Sequence, residues 1–577
     1  MTASCFRLRA ELLRLASLLV LFCFAPGESA LTQDKTLYGT LDVEVRVFRF
    51  VINVDKEGKG RLTSLDEGGR EFPLDDFAIH QDKLSFELKV TRARYHGKFS
   101  QESKAYQGLW QQSQKEFDLA FRVVDKVPVD SPKEVWEGEI QAAGQKLLMR
   151  FRIYDGQAKH PLLFDSPSQR AGGFTGTVAT KGGNTIYGVP AVRGTFTGKL
   201  SEDQKSLKGT WNQGADLPLE LKRVSAKDLQ KPLPPPKRPQ TPQAPFPYES
   251  HDVSIDNNSA KLTLAATLTV PKPGKRFPCV ILISGSGAQD RDETLMGHKP
   301  FWVIADHLSR NGIAVLRFDD RGTAQSTGVH RTATTADFAT DVSAIVDFLK
   351  DHRSIDPKQI GLCGHSEGGL IGPLVASQRK DIAFVIMLAG PGVNGEKIIK
   401  NQQRLLLKAS GVKERDIEVA AFLQNRLVEL AKPNETIDDQ QLEDAVDQLI
   451  KNFPEQGKEK KAIIAQAKAG IQQLSSPWMQ YFLKYEPAPT LAKVKCPVLV
   501  LNGSKDRQVD PELNFPAIKA AFKKSGKENY QIVLLDNLNH LFQNCGTGAI
   551  SEYQTIEETF APEALNHISK WITTTTR

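Results

Sequence analysis

The sequence has little cysteine, little net charge and no long apolar run, and each shortage excludes a class of protein. Six cysteines in 577 residues are too few for a disulfide scaffold. A net charge of +7, from 75 basic and 68 acidic residues, is too weak to indicate a nucleic-acid-binding protein. No His, Cys and Asp cluster has the spacing of metal ligands, so neither a metal nor another cofactor is expected. Past the N-terminus, no apolar stretch approaches the roughly 18 residues that a membrane-spanning helix needs.

The N-terminal residues 1–30 have the pattern of a secretory signal peptide. Three arginines precede an apolar run of 10 residues, 15–24, and Pro26 with small residues follows. The run is about half as long as a transmembrane helix. Cleavage is expected near Ser29 or Ala30, which predicts an exported protein, periplasmic or extracellular, without a transmembrane segment in the mature chain.

The next part of the chain contains a duplicated pattern. A glycine and a tryptophan in short matching motifs recur at an offset of 101: Gly97 as Gly198, and Trp110 as Trp211. Shared offsets of this kind indicate repeated structural units. Alternating apolar and polar residues, separated by turn-forming residues, predict β-strands. Two small antiparallel β-rich repeats are therefore expected over residues 31–128 and 129–228, with both tryptophans packed in their cores rather than stacked on a ligand.

After the repeats, the pattern changes twice. Eight prolines in the 17 residues from Lys231 to Pro247 predict an extended linker, assigned to residues 229–247. Apolar strands then alternate with amphipathic helices, which predicts an α/β domain with a mainly parallel sheet over residues 248–577. Residues 395–490 are too long for a connection and are predicted to form a helical cap inserted over the sheet. The predicted strands are Lys261–Val270, Cys279–Gly285, Ile313–Asp319, Gln359–Cys363, Ala383–Ala389, Pro497–Asn502 and Gln531–Leu535.

One pentapeptide, Gly364-His365-Ser366-Glu367-Gly368, has the pattern of a nucleophile elbow. An apolar strand precedes it and a helical segment follows. A sharp turn there would lift the Ser366 hydroxyl out of the sheet, and the two glycines would avoid clashes. The backbone N–H of Glu367 is expected to point at an oxyanion. The alternative is a glycine-rich turn whose serine caps a helix.

A serine nucleophile needs a base to take its proton and a carboxylate to orient that base. His540 and His567 are the histidines downstream of the serine. His540 follows a predicted strand and is expected to be the base, whereas His567 lies in a closing helix. Asp506, in the loop after another predicted strand, is the expected acid. Asp510 in the same loop remains an alternative, and Asp536 is too near the histidine in sequence.

The rest of the site is predicted from small and from apolar residues. Ser286 and Gly287 lie in a loop of small residues after the second predicted strand, where backbone N–H groups can complete an oxyanion hole. The third glycine of a dinucleotide-binding fingerprint is missing there, which argues against a nicotinamide cofactor. Trp478, Met479 and Phe482 predict an apolar acyl pocket beneath the cap.

Several longer stretches carry a resemblance to a known family. They are Gly285-Ser-Gly-Ala-Gln-Asp-Arg-Asp292, Gly297-His-Lys-Pro300, Leu316-Arg-Phe-Asp-Asp-Arg321 and Asn539-His-Leu-Phe-Gln543. From about residue 248 to the C-terminus, the chain resembles the α/β-hydrolase superfamily. Within it, the chain is most similar to the capped serine aminopeptidase-like hydrolases and bacterial esterases. This resemblance implies Ser366 as nucleophile, Asp506 as acid, His540 as base, and carboxylic-ester hydrolysis as the commonest activity.

The sequence thus predicts a serine hydrolase that cleaves a small-molecule ester through an acyl-enzyme. Two alternatives remain open. One is an aminopeptidase-like or peptidase-like hydrolase of the same fold. The other is a non-catalytic envelope protein that binds its ligand with the β repeats.

Overall fold

The computed structural model describes residues 35–576, except 56, 81, 89–92, 113–114, 143–144, 214–215, 226–236, 273–275 and 432–436. The chain divides into two compact units, Met1–Pro235 and Pro236–Arg577. The predicted signal peptide lies outside the described residues, as does much of the predicted linker. Among the helices that are described, none is long and apolar enough to cross a membrane.

The first unit begins with an antiparallel sheet of nine strands. Strands β1 to β9 are Lys35–Asp42, Val47–Val54, Gly60–Ser64, Arg70–Pro73, Asp75–His80, Lys83–Leu88, Ala93–Ser100, Ala105–Gln112 and Lys115–Val123. Their order across the sheet is β4-β3-β2-β1-β9-β8-β7-β6-β5. The two edge strands, β4 and β5, are separated in the chain by Leu74 alone. The first repeat is therefore a nearly closed antiparallel sheet whose edges meet at one interrupted strand.

The second repeat closes completely into an eight-stranded antiparallel barrel. Strands β10 to β17 are Glu134–Ala142, Gln145–Ile153, Leu162–Ser166, Ala171–Lys181, Asn184–Val189, Gly194–Leu200, Ser206–Asn212 and Asp216–Val224. Strand β13, with 11 residues, corresponds to the interrupted β4 and β5 of the first repeat. Both repeats thus share one strand order, as expected from the duplicated sequence.

The repeated tryptophans lie in the cores of the two sheets. The exposed fraction is 3% for Trp110 and 0% for Trp211. Each indole N–H donates a hydrogen bond to a glutamine two residues later, Gln112 at 3.1 Å and Gln213 at 3.2 Å. This confirms the prediction that both residues pack internally.

A buried group of charges joins the two repeats. The Arg152 guanidinium, 2% exposed, lies 2.7 Å from Asp165, 2.5 Å from Asp130 and 3.3 Å from Asp66. Arg49 adds a second cation, 2.6 Å from Asp66. Burial disfavours the charge of Arg152, but the surrounding carboxylates outweigh it and raise its pKa above the ordinary value. Three carboxylates from both repeats therefore converge on the Arg152 guanidinium, and Arg49 adds a second partner for Asp66.

We expect Arg152→Leu to destabilise the first unit by about 3–5 kcal/mol, because it leaves the buried Asp165 without its paired cation and Asp66 with Arg49 alone. Urea unfolding of the full chain, followed by circular dichroism, measures the change. Arg150→Leu is the matched control: Arg150 lies on the same strand and pairs with Glu137, but both side chains are partly exposed. Its cost should be about 1 kcal/mol or less. Equal destabilisation by both substitutions would contradict the role given to Arg152.

The second unit is built on one eight-stranded mixed sheet. Strands β18 to β25 are Tyr248–Asn257, Leu262–Pro271, Phe277–Ile283, Ala314–Phe318, Ile355–His365, Phe384–Leu388, Val498–Gly503 and Tyr530–Leu535. Their order is β18-β19-β21-β20-β22-β23-β24-β25. The first two pairings are antiparallel and all others are parallel. The predicted mainly parallel α/β sheet is confirmed, and β18 is a strand that the sequence pattern did not predict.

Helices cover both faces of this sheet and form the cap. Helices α1 to α12 are Pro300–Arg310, Thr335–Asp351, Gly368–Gln378, Gly395–Ala409, Glu414–Ala431, Asp439–Asn452, Lys460–Leu474, Pro477–Lys484, Pro487–Leu491, Pro511–Lys524, Ile550–Tyr553 and Pro562–Thr575. Apolar clusters fill both sides of the sheet. Helices α4 to α9 lie between β23 and β24 and have their own apolar cluster. They occupy the stretch for which a helical cap was predicted.

The described end of the proline-rich segment is held by the second unit. The Arg238 side chain donates to the carbonyl oxygens of Gln554 and Ile556 at 3.0 and 2.8 Å. The Gln240 amide donates to the carbonyl oxygen of Phe560 at 2.7 Å. The chain from residue 237 onward is therefore packed against this unit, a contact that the expectation of an extended linker did not include.

Candidate active site

Ser366 lies at a strained turn between β22 and α3. Its φ is +52°, in the left-handed region that non-glycine residues rarely adopt. Its N–H donates to the carbonyl oxygen of Leu388 at 2.8 Å. A Cβ on Gly364 would overlap the carbonyl oxygen of Gly368, and one on Gly368 would overlap that of Ile283. The two glycines are required because backbone fills the space around the turn, as the nucleophile-elbow pattern predicts.

Asp506 and His540 are joined by a buried hydrogen bond. His540 Nδ1 lies 2.8 Å from Asp506 Oδ2, and the carboxylate is fully buried. Its other oxygen accepts the N–H groups of Gln508 and Val509 at 2.8 and 2.9 Å. With its remaining acceptor directed at Nδ1, the carboxylate favours the tautomer that leaves Nε2 free to accept a proton.

The other residues considered for the acid and the base lie elsewhere. Asp510 is the N-cap of α10, where its side chain accepts the N–H of Glu512 at 3.1 Å. Asp536 is exposed, and His567 lies half-buried on α12. Of the three carboxylates considered from the sequence, Asp506 is the one that contacts His540.

Ser366 is connected to this pair through its neighbour in the chain, His365. The rings of His365 and His540 are 4.8 Å apart between centroids, and a Cβ on Gly285 would lie 3.1 Å from Ser366 Cβ. Within the described residues, the Ser366 hydroxyl makes no hydrogen bond to His540. Such contacts are often long in ligand-free enzymes and tighten when substrate binds. Ser366, the loop of small residues and His540 therefore lie at one edge of the sheet.

Two backbone N–H groups are available beside Ser366. Neither the N–H of Glu367 nor that of Ser286 has a hydrogen-bond partner in the part of the chain that is described. Ser286 and Gly287 are exposed, and Gly287 has a φ of +101° that favours glycine. These are the groups expected to bind an oxyanion.

The side chain of Glu367 joins the elbow to the cap. Its Oε1 accepts the Thr335 hydroxyl at 2.6 Å and the Trp478 indole N–H at 2.8 Å. Burial raises the pKa of this carboxyl above its ordinary value. Trp478 stacks on Phe482 with 5.2 Å between ring centroids, whereas Met479 and Phe482 are buried in the apolar cluster of the cap. Of the three predicted pocket residues, Trp478 is the one hydrogen-bonded to the elbow.

Acidic residues brace the loop that contains Ser286. Asp320 accepts the Ser284 hydroxyl at 2.7 Å and the Gln289 N–H at 2.9 Å. Asp319 pairs with Arg291 at 2.7 Å. Burial raises the pKa of Asp320 well above its ordinary value. The hydrogen bonds and the ion pair of the acidic residues after β21 therefore hold this loop in place.

Glu293 is a site residue that the sequence pattern did not reveal. Its Oε1 accepts the Gly285 N–H at 2.8 Å and lies 2.9 Å from His365 Nδ1. It directly follows the stretch ending at Asp292 that resembles known hydrolases, and this position is the only signal that could have pointed to it. Among the described residues, no group of three or more His, Cys, Asp or Glu side chains is arranged to hold a metal ion.

Comparisons with known proteins agree with this fold. Residues 301–544 match the family model described as "Serine aminopeptidase, S33". Esterase EstD of Thermotoga maritima is 25% identical over 329 residues, which cover 56% of this chain and 68% of EstD. An uncharacterized 31.7 kDa protein of Escherichia coli is 24% identical over 48% of this chain and 90% of its own.

Solved structures also match. The Pyrococcus furiosus esterase Pf2001 is 16% identical, covering 57% of this chain and 93% of its own with a TM-score of 0.34. Est1E from Butyrivibrio proteoclasticus is 17% identical, and the match covers 56% of this chain and 98% of Est1E with a TM-score of 0.31. The sheet, the elbow and the family match identify the second unit as an α/β-hydrolase domain. They support its place in the serine aminopeptidase-like group that the sequence resembles.

The buried Glu367 predicts a specific pH effect on stability. Because its pKa is raised above 4.5 in the folded state, its contribution is fully present below pH 4.5 and is lost as the pH rises through the folded-state pKa. Gln at this position cannot ionise and still accepts both hydrogen bonds. We therefore expect Glu367→Gln to become progressively more stable than the wild type as the pH rises above 4.5.

Thermal unfolding at several pH values measures this difference. Glu557→Gln, at an exposed position, is the control and should not change the pH dependence. A constant difference between Glu367→Gln and wild type across the range would show that Glu367 does not titrate as described.

Proposed function

We propose that this protein is a serine hydrolase that cleaves small-molecule carboxylic esters through an acyl-enzyme intermediate. The observation that carries the proposal is the buried 2.8 Å hydrogen bond between Asp506 and His540, at the sheet edge where Ser366 occupies a left-handed elbow turn. A serine, a histidine and a buried carboxylate in this arrangement are the groups that nucleophilic acyl transfer requires.

In the proposed reaction, Ser366 Oγ attacks the ester carbonyl while His540 Nε2 takes its proton. Asp506 stabilises the imidazolium that forms. The N–H groups of Glu367 and Ser286, with Gly287 as the alternative donor, hold the developing oxyanion. His540 then gives its proton to the leaving alkoxide, which departs as the alcohol. Water, activated by the same histidine, hydrolyses the acyl-enzyme and regenerates Ser366.

The choice of an ester rests on the resemblance and on the name of the relative EstD. Trp478, Met479 and Phe482 remain the proposed acyl pocket beneath the cap. Export to the periplasm or the cell exterior, with cleavage near Ser29 or Ala30, also belongs to the proposal. It rests on the sequence pattern of residues 1–30 alone.

A peptidase activity is the second candidate, because the matching family model is described as a serine aminopeptidase. Turnover of short p-nitrophenyl acyl esters and of aminoacyl arylamides separates the two. We expect ester cleavage to dominate. Cleavage of arylamides alone would replace the esterase proposal with the peptidase one.

Ser366→Ala and His540→Ala should each lower kcat by on the order of 10⁶ if the three residues act as a unit. A fluorophosphonate probe should label the wild type at Ser366 and leave folded Ser366→Ala unlabelled. A folded wild-type protein that resists the probe and cleaves neither substrate would favour the non-catalytic alternative, in which the β repeats bind a ligand.

The identity of the acid is tested by a matched pair of substitutions. Asp506→Asn should lower kcat by about 10⁴, because the amide disturbs the tautomer of His540. Asp510→Asn should change it by less than about threefold, because asparagine also serves as an N-cap. The reverse result would assign the acid to Asp510.

A further inference from the structure

Glu293 connects the loop of Ser286 to the nucleophile elbow. Its side chain is 7% exposed, and its φ of +51° is in the left-handed region. One oxygen, Oε1, accepts the N–H of Gly285, directly before Ser286, and also contacts His365, directly before Ser366. A buried carboxylate in a strained backbone conformation persists only where its surroundings hold it.

His365 extends this connection to the base. Its Nε2 lies 2.9 Å from the carbonyl oxygen of His540. A carbonyl can only accept, so Nε2 carries a proton, and the second proton is held between Nδ1 and Glu293. Burial alone lowers the pKa of His365, but the charge of Glu293 and its hydrogen bond outweigh burial and raise it. The charge of Asp506 also raises the pKa of His365.

We infer that the buried Glu293–His365 pair is a positioning element, which fixes the loops of Ser286, Ser366 and His540 relative to one another. The inference rests on the function proposed above. In this proposal, neither the Glu293 nor the His365 side chain contacts the substrate. The pair acts through the groups it holds: one hydrogen bond to the oxyanion loop and one to the backbone of the base, with the elbow between them.

The expected effect follows from the geometry that catalysis needs. A displacement of about 1 Å between reacting groups lowers the rate about 10²-fold. Glu293→Ala removes both contacts and should lower kcat by about 100-fold, with KM changed by less than about twofold. Glu293→Gln keeps an oxygen for the Gly285 N–H and loses only the charge, so its kcat should fall by about tenfold.

The control is another buried ion pair in the same unit. Asp341 contacts Arg321 at 2.7 Å, with side chains 1% and 8% exposed. Asp341→Asn is the same kind of change as Glu293→Gln, at a carboxylate bonded to Asn257 and Arg321, and it should lower the melting temperature without lowering kcat. Loss of stability without loss of kcat in the Glu293 variants would give Glu293 the same structural role and overturn the inference.

A second pair of variants tests the hydrogen bond from His365 to the carbonyl oxygen of His540. His365→Leu removes the donor to the His540 carbonyl, whereas His365→Gln retains one, so kcat should fall further for leucine. This pair decides the question if Glu293→Ala does not fold. Equal kcat in both, or an effect on KM alone, would overturn the inference. If the wild type neither hydrolyses esters nor reacts with a fluorophosphonate, the proposed function fails instead.

Discussion

The parallel pairing of β20, β22, β23, β24 and β25 is the constraint on which the site depends. Parallel strands bring their carboxyl ends to one edge of a sheet, and the loops that leave them meet there. Gly503 pairs with Leu535 at the ends of β24 and β25, so the loops with Asp506 and His540 begin side by side. Residues far apart in the chain are joined at 2.8 Å because the strands before them end in register.

Structural features that depend on a local pattern of residues could be predicted from the sequence. Unbroken apolar runs indicated the buried strands, and the glycines around Ser366 indicated the turn. The edge strand β18, Tyr248–Asn257, was not predicted because most of its side chains are exposed and it lacks an apolar run. Glu293 was not predicted because its function depends on His365, 72 residues later in the chain. The choice between Asp506 and Asp510 likewise required burial and contacts that short spacing does not encode.

The two β repeats show how duplicated sequences diverge while they keep a fold. Asp66 and Asp165 are equivalent at an offset of 99, yet both pair with Arg152 of the second repeat. The two equivalent aspartates therefore do not form two separate sites. They belong to one group of charges that joins the repeats. Such a group favours one arrangement of the two sheets, because any other would leave buried carboxylates unpaired.

Glu367 couples two parts of the second unit that the chain separates widely. Its backbone N–H is the proposed oxyanion donor, and its carboxyl holds the Trp478 indole of the cap. A movement of α8 that took Trp478 away would leave the buried carboxyl with the Thr335 hydroxyl alone. Because an unpaired buried carboxyl is unfavourable, the elbow and the cap stabilise each other's position. The cap is therefore coupled to the residue that directly follows Ser366, and it does more than cover the sheet.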